Sequence, residues 1–117
     1  MAQFVIEGAK KLAGEHTAPG NKNAALPMLA ACILTAEPVR LHNIPLIRDV
    51  RTMLDILVEL GAEVSLRGHS VTVCAANIRK RKLPEELCRQ VRSSILFAGP
   101  MIARYGRVIL YPPGGDV

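Results

Sequence analysis

In the pattern of apolar and polar positions over the first twenty residues, Phe4-Val5-Ile6 and Leu12 to Thr17 stand out as two short segments separated by a turn around Gly8. Their extended, alternating character predicts two strands. Ala18-Pro19-Gly20-Asn21 follows as a turn cluster. The apolar run from Ala24 to Leu34 behind it is too long for one strand and predicts a helix. Asn21 or Asn23 can cap that helix, Pro27 suits its first turn better than its middle, and Glu37-Pro38 ends it. Val39 to His42 alternates as a strand, and Asn43-Ile44-Pro45 opens a loop. Val50, Met53, Leu54, Leu57, Val58 and Leu60 recur at helical spacing, with Asp49 placed to cap and Gly61 to stop. Val64 to Leu66 and Val71 to Cys74 alternate around Arg67-Gly68-His69-Ser70, which is a hairpin signal. Pro84 with Glu85 and Glu86 marks a further helix start. The pattern from Leu87 runs as a helix to Tyr105, bent at Gly99-Pro100, before a last strand at Val108 to Leu110.

From Leu12 the order is β-α-β-α-β-β, then a helix and a strand. That order predicts an α/β (α+β) unit with helices covering one face of a small mixed sheet. The last strand and the loop behind it read as the opening of a next unit. A domain ending at Val117 leaves that strand without an evident partner, so the chain is expected to continue.

Composition narrows the function classes. The chain has 117 residues, half of them hydrophobic and 21% charged, which is globular composition. Its 15 Lys+Arg exceed its 10 Asp+Glu, for a net charge of +5. Two Tyr, two Phe and no Trp argue against base-stacking nucleic-acid readers. Cys32, Cys74 and Cys88 are far apart with no CxxC, which fits reduced, buried thiols and neither a disulfide framework nor a zinc ribbon. His16, His42 and His69 show no metal-ligand spacing, so no metal or other cofactor is expected. The run from Ala24 to Leu34 is too short to span a bilayer. Leu29-Ala30-Ala31-Cys32 superficially matches a lipoprotein signal. Glu7, Glu15 and Pro27 break the required basic and apolar regions, so a cytoplasmic protein is expected.

Three segments can carry chemistry. Pro19-Gly20-Asn21-Lys22-Asn23 is a glycine turn feeding a helix N-terminus beside a lysine, which suits a phosphate or carboxylate. The plain alternative is a capped helix start with a solvated lysine. Arg92, beside Ser93 and Ser94 in an otherwise apolar stretch, can reach an anion bidentately or snorkel to water. Pro113-Gly114-Gly115-Asp116 is a closely approachable loop whose aspartate is a proton donor or an ordinary turn residue. The basic run Arg79 to Lys82 reads as a solvated patch, with nucleic-acid binding a weaker reading.

Taken together, these residues resemble the N-terminal part of the UDP-N-acetylglucosamine enolpyruvyl transferase (1-carboxyvinyltransferase) family. The carriers are Gly14-Glu15, Gly20-Asn21-Lys22-Asn23-Ala24-Ala25-Leu26-Pro27, Asn43-Ile44-Pro45, Asp49-Val50 and Leu60-Gly61-Ala62. Val91-Arg92-Ser93-Ser94-Ile95, Gly99-Pro100, Ala103-Arg104-Tyr105-Gly106 and Pro113-Gly114-Gly115 continue the likeness along the whole chain.

The resemblance implies two domains of repeated β-α-β-α-β-β units with the active site in the cleft between them. Residues 1–20 would then be N-terminal strands, the first packing with the other domain. Residues 21–117 would be the first part of the N-terminal repeat domain, cut at the active-site loop. The implied reaction moves the enolpyruvyl group of phosphoenolpyruvate to the 3-hydroxyl of UDP-N-acetylglucosamine, an early step of peptidoglycan synthesis. Lys22 and Arg92 map onto residues that bind phosphoenolpyruvate, and Asn23 onto one that contacts the sugar nucleotide or intermediate. Asp116 maps onto the position where most members carry a reactive cysteine, and a general-acid role is implied for it. Resistance to the epoxide fosfomycin follows, because a carboxylate is a poor nucleophile. Leu96 stands where many members have Trp. The implied partners are the two small-molecule substrates and the remainder of the same enzyme, with no nucleic acid and no membrane. By itself this chain is expected to be inactive. The competing reading is a non-catalytic α/β module that binds an anion or a protein.

Overall fold

The computed structural model describes residues 2–112 of the chain. Helix α1 spans Lys22–Ala31, and the Asn21 side chain accepts the Asn23 backbone N–H at 2.7 Å. Asn21 is therefore the cap, and Asn23 is the second helical residue. Pro27 falls sixth in the helix rather than in its first turn, on the exposed side, and has no N–H to return to the Asn23 carbonyl. The helix ends well before Glu37-Pro38 and tightens into a 3-10 turn at Cys32–Leu34.

Strand β1 is Val39–Leu41, helix α2 is Arg48–Leu60, and strands β2 and β3 are Glu63–Arg67 and Ser70–Cys74. Gly61 closes α2 in the left-handed region at φ 116°. A Cβ there would also approach the Asn77 carbonyl to 2.5 Å, because the 75–80 connector crosses directly over it. Asp49 is not the cap. The helix begins at Arg48, so Asp49 lies inside its first turn and its carboxylate is available for another partner.

The sheet order is β1-β3-β2, with both neighbouring pairs antiparallel. β1 and β2 thus run parallel, joined through α2, and β3 inserts between them as the return arm of the hairpin. This corrects the expected mixed sheet: every adjacent pair in it is antiparallel. Val71 and Val73 face the helices and are fully buried, while Ser70 and Thr72 alternate to the other face. Leu29 and Ile33, from α1 and the turn after it, meet Met53, Ile56, Leu57 and Leu60 of α2 in the core.

Two expectations fail for identifiable reasons. Residues 2–20 form no strand, and Phe4, Ile6 and Leu12 are 92, 88 and 90% exposed. A strand exists only against another edge, and among the described residues this segment pairs with none. The single long helix from Leu87 to Tyr105 is also absent. Helix α3 covers only Glu85–Cys88, a 3-10 segment runs over Ser93–Phe97, and helix α4 spans Ala98–Tyr105. The buried positions Cys88, Val91, Ser94 and Phe97 recur every three residues, the period of a 3-10 helix rather than of an α-helix. Gly99 and Pro100 sit in the first turn of α4, where proline costs nothing. The last strand reduces to one parallel bridge, Ile109 with Lys82. Its hydrogen bonds are Leu83 N–H to the Ile109 carbonyl at 3.1 Å and Ile109 N–H to the Arg81 carbonyl at 2.8 Å.

Candidate active site

The N-termini of α1 and α2 open toward the same side of the molecule, and the loop before each is fixed by its neighbours. Asn43, in the left-handed region at φ 55°, donates from Nδ2 to the Ala18 carbonyl at 3.2 Å. Gly20 packs directly on the Asn43 carbonyl and the Pro45 ring, with no room for a Cβ. The next residue is pinned in turn: Ile44 N–H donates to the His69 carbonyl at 2.8 Å, and His69 Nδ1 lies 3.2 Å from the Ile44 carbonyl. The hairpin turn, the loop after β1 and the turn before α1 are thereby stacked into one support. Lys22 and Asp49 both emerge from it.

Lys22 Nζ lies 2.7 Å from Asp49 Oδ2, and the two side chains are about half and one-third exposed. They border a cleft of about 780 Å³ that also meets Arg48, Arg89, Arg92 and Ser93. Arg89 is already engaged with Glu85 at 2.6 Å. Four cationic side chains and two helix N-termini therefore surround one lining carboxylate, a field suited to a multiply charged anion. The Ser93 hydroxyl is buried on this wall without a hydrogen-bond partner among the described residues, an arrangement that an oxyanion would satisfy.

The structure thus brings Lys22 and Arg92 to one cleft. Asn23 is exposed on the first turn of α1 but does not line it. Asp116, with Pro113-Gly114-Gly115, lies outside the described residues. Asp49 was expected only as a cap, and Arg48, Arg89 and Gln90 were not expected at all. The helix start at Arg48 is the signal that could have turned Asp49 inward, but Ile47 supplies no capping side chain to announce it. Leu96 is also on the wall.

The thiols offer no nucleophile here. Burial pushes the Cys32 thiol up to about 11, and burial likewise raises that of Cys88. Cys74, expected to be buried, is only partly so. Leu29, Ala30 and Cys32 of the lipoprotein-like stretch are packed in the core. Among the described residues no helix is long and apolar enough to cross a membrane.

Comparison with known proteins shows the family of the chain. The family described as EPSP synthase (3-phosphoshikimate 1-carboxyvinyltransferase) matches residues 6–116. A UDP-N-acetylglucosamine 1-carboxyvinyltransferase of Bradyrhizobium diazoefficiens is 45% identical over 98% of this chain and 27% of its own length. The proteins of the same name from Psychromonas ingrahamii and Borreliella burgdorferi are 46% and 43% identical, over 98% and 100% of this chain. The chain spans about a quarter of the length of these relatives, 27% in each case. The crystal structure of the enolpyruvyl transferase NikO from Streptomyces tendae superposes with a TM-score of 0.71, at 26% identity over 85% of this chain and 23% of that one. With sequence and fold in agreement, the chain belongs to the EPSP synthase (3-phosphoshikimate 1-carboxyvinyltransferase) family of enolpyruvyl transferases.

Proposed function

We propose that the protein carrying this chain transfers the enolpyruvyl group of phosphoenolpyruvate to the 3-hydroxyl of UDP-N-acetylglucosamine, in the cytoplasm, as an early step of peptidoglycan synthesis. The observation that carries this reading is the convergence of Lys22 and Arg92 on one cationic cleft at two helix N-termini. Both substrates are anions, and the names of the relatives favour this pair of substrates.

In this reading Lys22 and Arg92 hold the phosphate and carboxylate of phosphoenolpyruvate, and Ser93 donates its hydroxyl to the same anion. Asn23 reaches the sugar nucleotide from the exposed side of α1. The substrate hydroxyl adds to C2 and gives up its own proton to solvent, as the methylene carbon takes a proton. Loss of a proton from that carbon then expels phosphate and restores the double bond. Asp116 is the proton donor to the methylene carbon, which requires closure to raise its pKa. Residues 1–20 supply strands to a partner sheet, the first in the other domain, and residues 21–117 form the opening of the N-terminal repeat domain. The rest of the longer protein completes the cleft, so residues 1–117 alone do not turn over.

The test is phosphate release by the complete protein with both substrates. Lys22→Ala lowers kcat/KM by about 100-fold or more, the scale of losing one preorganised charge in the transition state. Binding of phosphoenolpyruvate without turnover by the complete protein overturns the reading in favour of a non-catalytic anion-binding module.

A further inference from the structure

The face of the sheet turned away from the helices carries a second basic site. Register places Arg40 opposite Thr72 and Thr72 opposite Ser65, so one row across the three strands reads cation, hydroxyl, hydroxyl. In the next row Arg67 pairs with Ser70, and His42, the residue after β1, reaches Ser70 from the far side. That row reads cation, hydroxyl, imidazole. Adjacent strands lie about 4.8 Å apart and alternate residues about 7 Å apart, so all six side chains fall within one patch about 10 Å across.

They enclose a concavity of about 510 Å³ that shares no residue with the Lys22 cleft. Arg40 Nε donates to Thr72 Oγ1 at 3.4 Å, and His42 Nδ1 lies 3.1 Å from Ser70 Oγ. These contacts lay the Arg40 guanidinium and the His42 imidazole over the strands and leave the terminal nitrogens of Arg40 for a ligand. Among the described residues, no carboxylate forms an ion pair with Arg40, His42 or Arg67. Glu63, two positions before Ser65 on β2, bounds the patch at one end, opposite Cys74.

We propose that this face binds the phosphoryl group of a small anionic ligand, at a site separate from the substrate cleft. Two guanidinium groups, an imidazole and three hydroxyls offer more donors than a two-oxygen carboxylate can use. They match the several oxygens of a phosphoryl group. The strands that carry them are held by the hairpin and by the β1–β3 ladder, so the site is preorganised.

The experiment is equilibrium dialysis of the complete protein against radiolabelled inorganic phosphate at fixed ionic strength. It compares wild type, Arg40→Gln/Arg67→Gln, His42→Gln and Lys22→Gln. The double variant loses at least about tenfold in affinity for one class of phosphate site, His42→Gln weakens the same class, and Lys22→Gln retains it. The three altered side chains of the sheet are exposed, so their replacement leaves the core intact. Wild-type phosphate binding in Arg40→Gln/Arg67→Gln overturns the proposal. Equal competition by acetate at the same concentration does so too, because it reveals only a general attraction for anions.

Discussion

Lys22 and Asp49 join the first turns of α1 and α2 by an ion pair of 2.7 Å at the mouth of the cationic cleft. Both partners are substantially exposed, so the pair contributes at most about 1 kcal/mol to folding. Its effect is positional: it holds a flexible four-carbon side chain at the point where the two helix dipoles converge. Asp49→Asn therefore leaves the urea midpoint of the complete protein nearly unchanged. It lowers kcat/KM for phosphoenolpyruvate by about tenfold, a loss of about 1.4 kcal/mol in transition-state stabilisation. Initial rates at varied phosphoenolpyruvate, beside a denaturation curve, separate the two effects.

Gly20→Ala tests the support beneath that pair. A Cβ at this position collides with the Asn43 carbonyl and comes within 2.7 Å of the Pro45 ring, and neither is the loose end of a flexible side chain. The backbone must move, at a cost of about 2 kcal/mol or more. Because the displaced turn leads straight into Lys22, activity falls along with stability. Thermal unfolding and phosphate release on the same preparation measure both.

Much of this architecture could be read from residue pattern alone, and what could not has a common cause. The helix ending at Gly61, the hairpin around Gly68 and the Lys22 turn all rest on local signals: a left-handed stop, alternation about a turn, a capping asparagine. The segment from Cys88 to Phe97 carries a three-residue burial period that helical templates read as an ordinary helix. The strands expected before Gly20 have the right residues but no edge to pair with among the described residues. At the cleft, Lys22 and Arg92 were legible as basic residues beside a glycine turn and two serines. Arg48, Arg89 and the inward turn of Asp49 depend on how three distant segments pack, which no local window contains.

Arg104 is another residue whose role only the fold makes visible. Its Nη1 donates to the carbonyls of Ile33, Thr35 and Ala75 at 2.9, 3.2 and 2.7 Å, which ties α4 to the end of the 3-10 turn and the end of β3. Arg104→Met leaves these carbonyls without that donor, at a cost of about 3 kcal/mol. Arg104→Lys recovers only part of the loss, because the lysine side chain is one bond shorter and does not bring its nitrogen to the place of Nη1. Urea denaturation of the three proteins should give that order.

Stability above neutral pH depends on Cys32. Burial raises its pKa from 9.0 to about 11, and its thiol donates to the Met28 carbonyl at 3.3 Å. A raised folded-state value means that the native protein holds the proton more tightly than the unfolded chain does. The stabilisation is therefore complete below pH 9 and is lost as pH rises from 9 through 11. The loss is on the order of 2 kcal/mol. Cys32→Ala removes this component while keeping those of Cys88 and the lysines. Unfolding free energies of the two proteins should converge across that interval, and a constant difference would show that the thiol is not responsible.

Asp116 gives the proposed chemistry a pharmacological readout. A thiolate opens an epoxide readily, whereas a carboxylate is a weak nucleophile and remains charged at neutral pH unless its surroundings are closed to water. The complete protein should therefore keep full activity after prolonged incubation with fosfomycin. Asp116→Cys should lose activity progressively under the same treatment, with covalent adduct visible by mass spectrometry. The thiol has to approach the bound epoxide to react, so the adduct should also depend on the cationic cleft. Lys22→Ala in the Asp116→Cys background slows alkylation about tenfold or more, because the inhibitor's phosphonate loses its anchor. Alkylation at an unchanged rate would place the 116 side chain away from the cleft and remove it from the proton-transfer step.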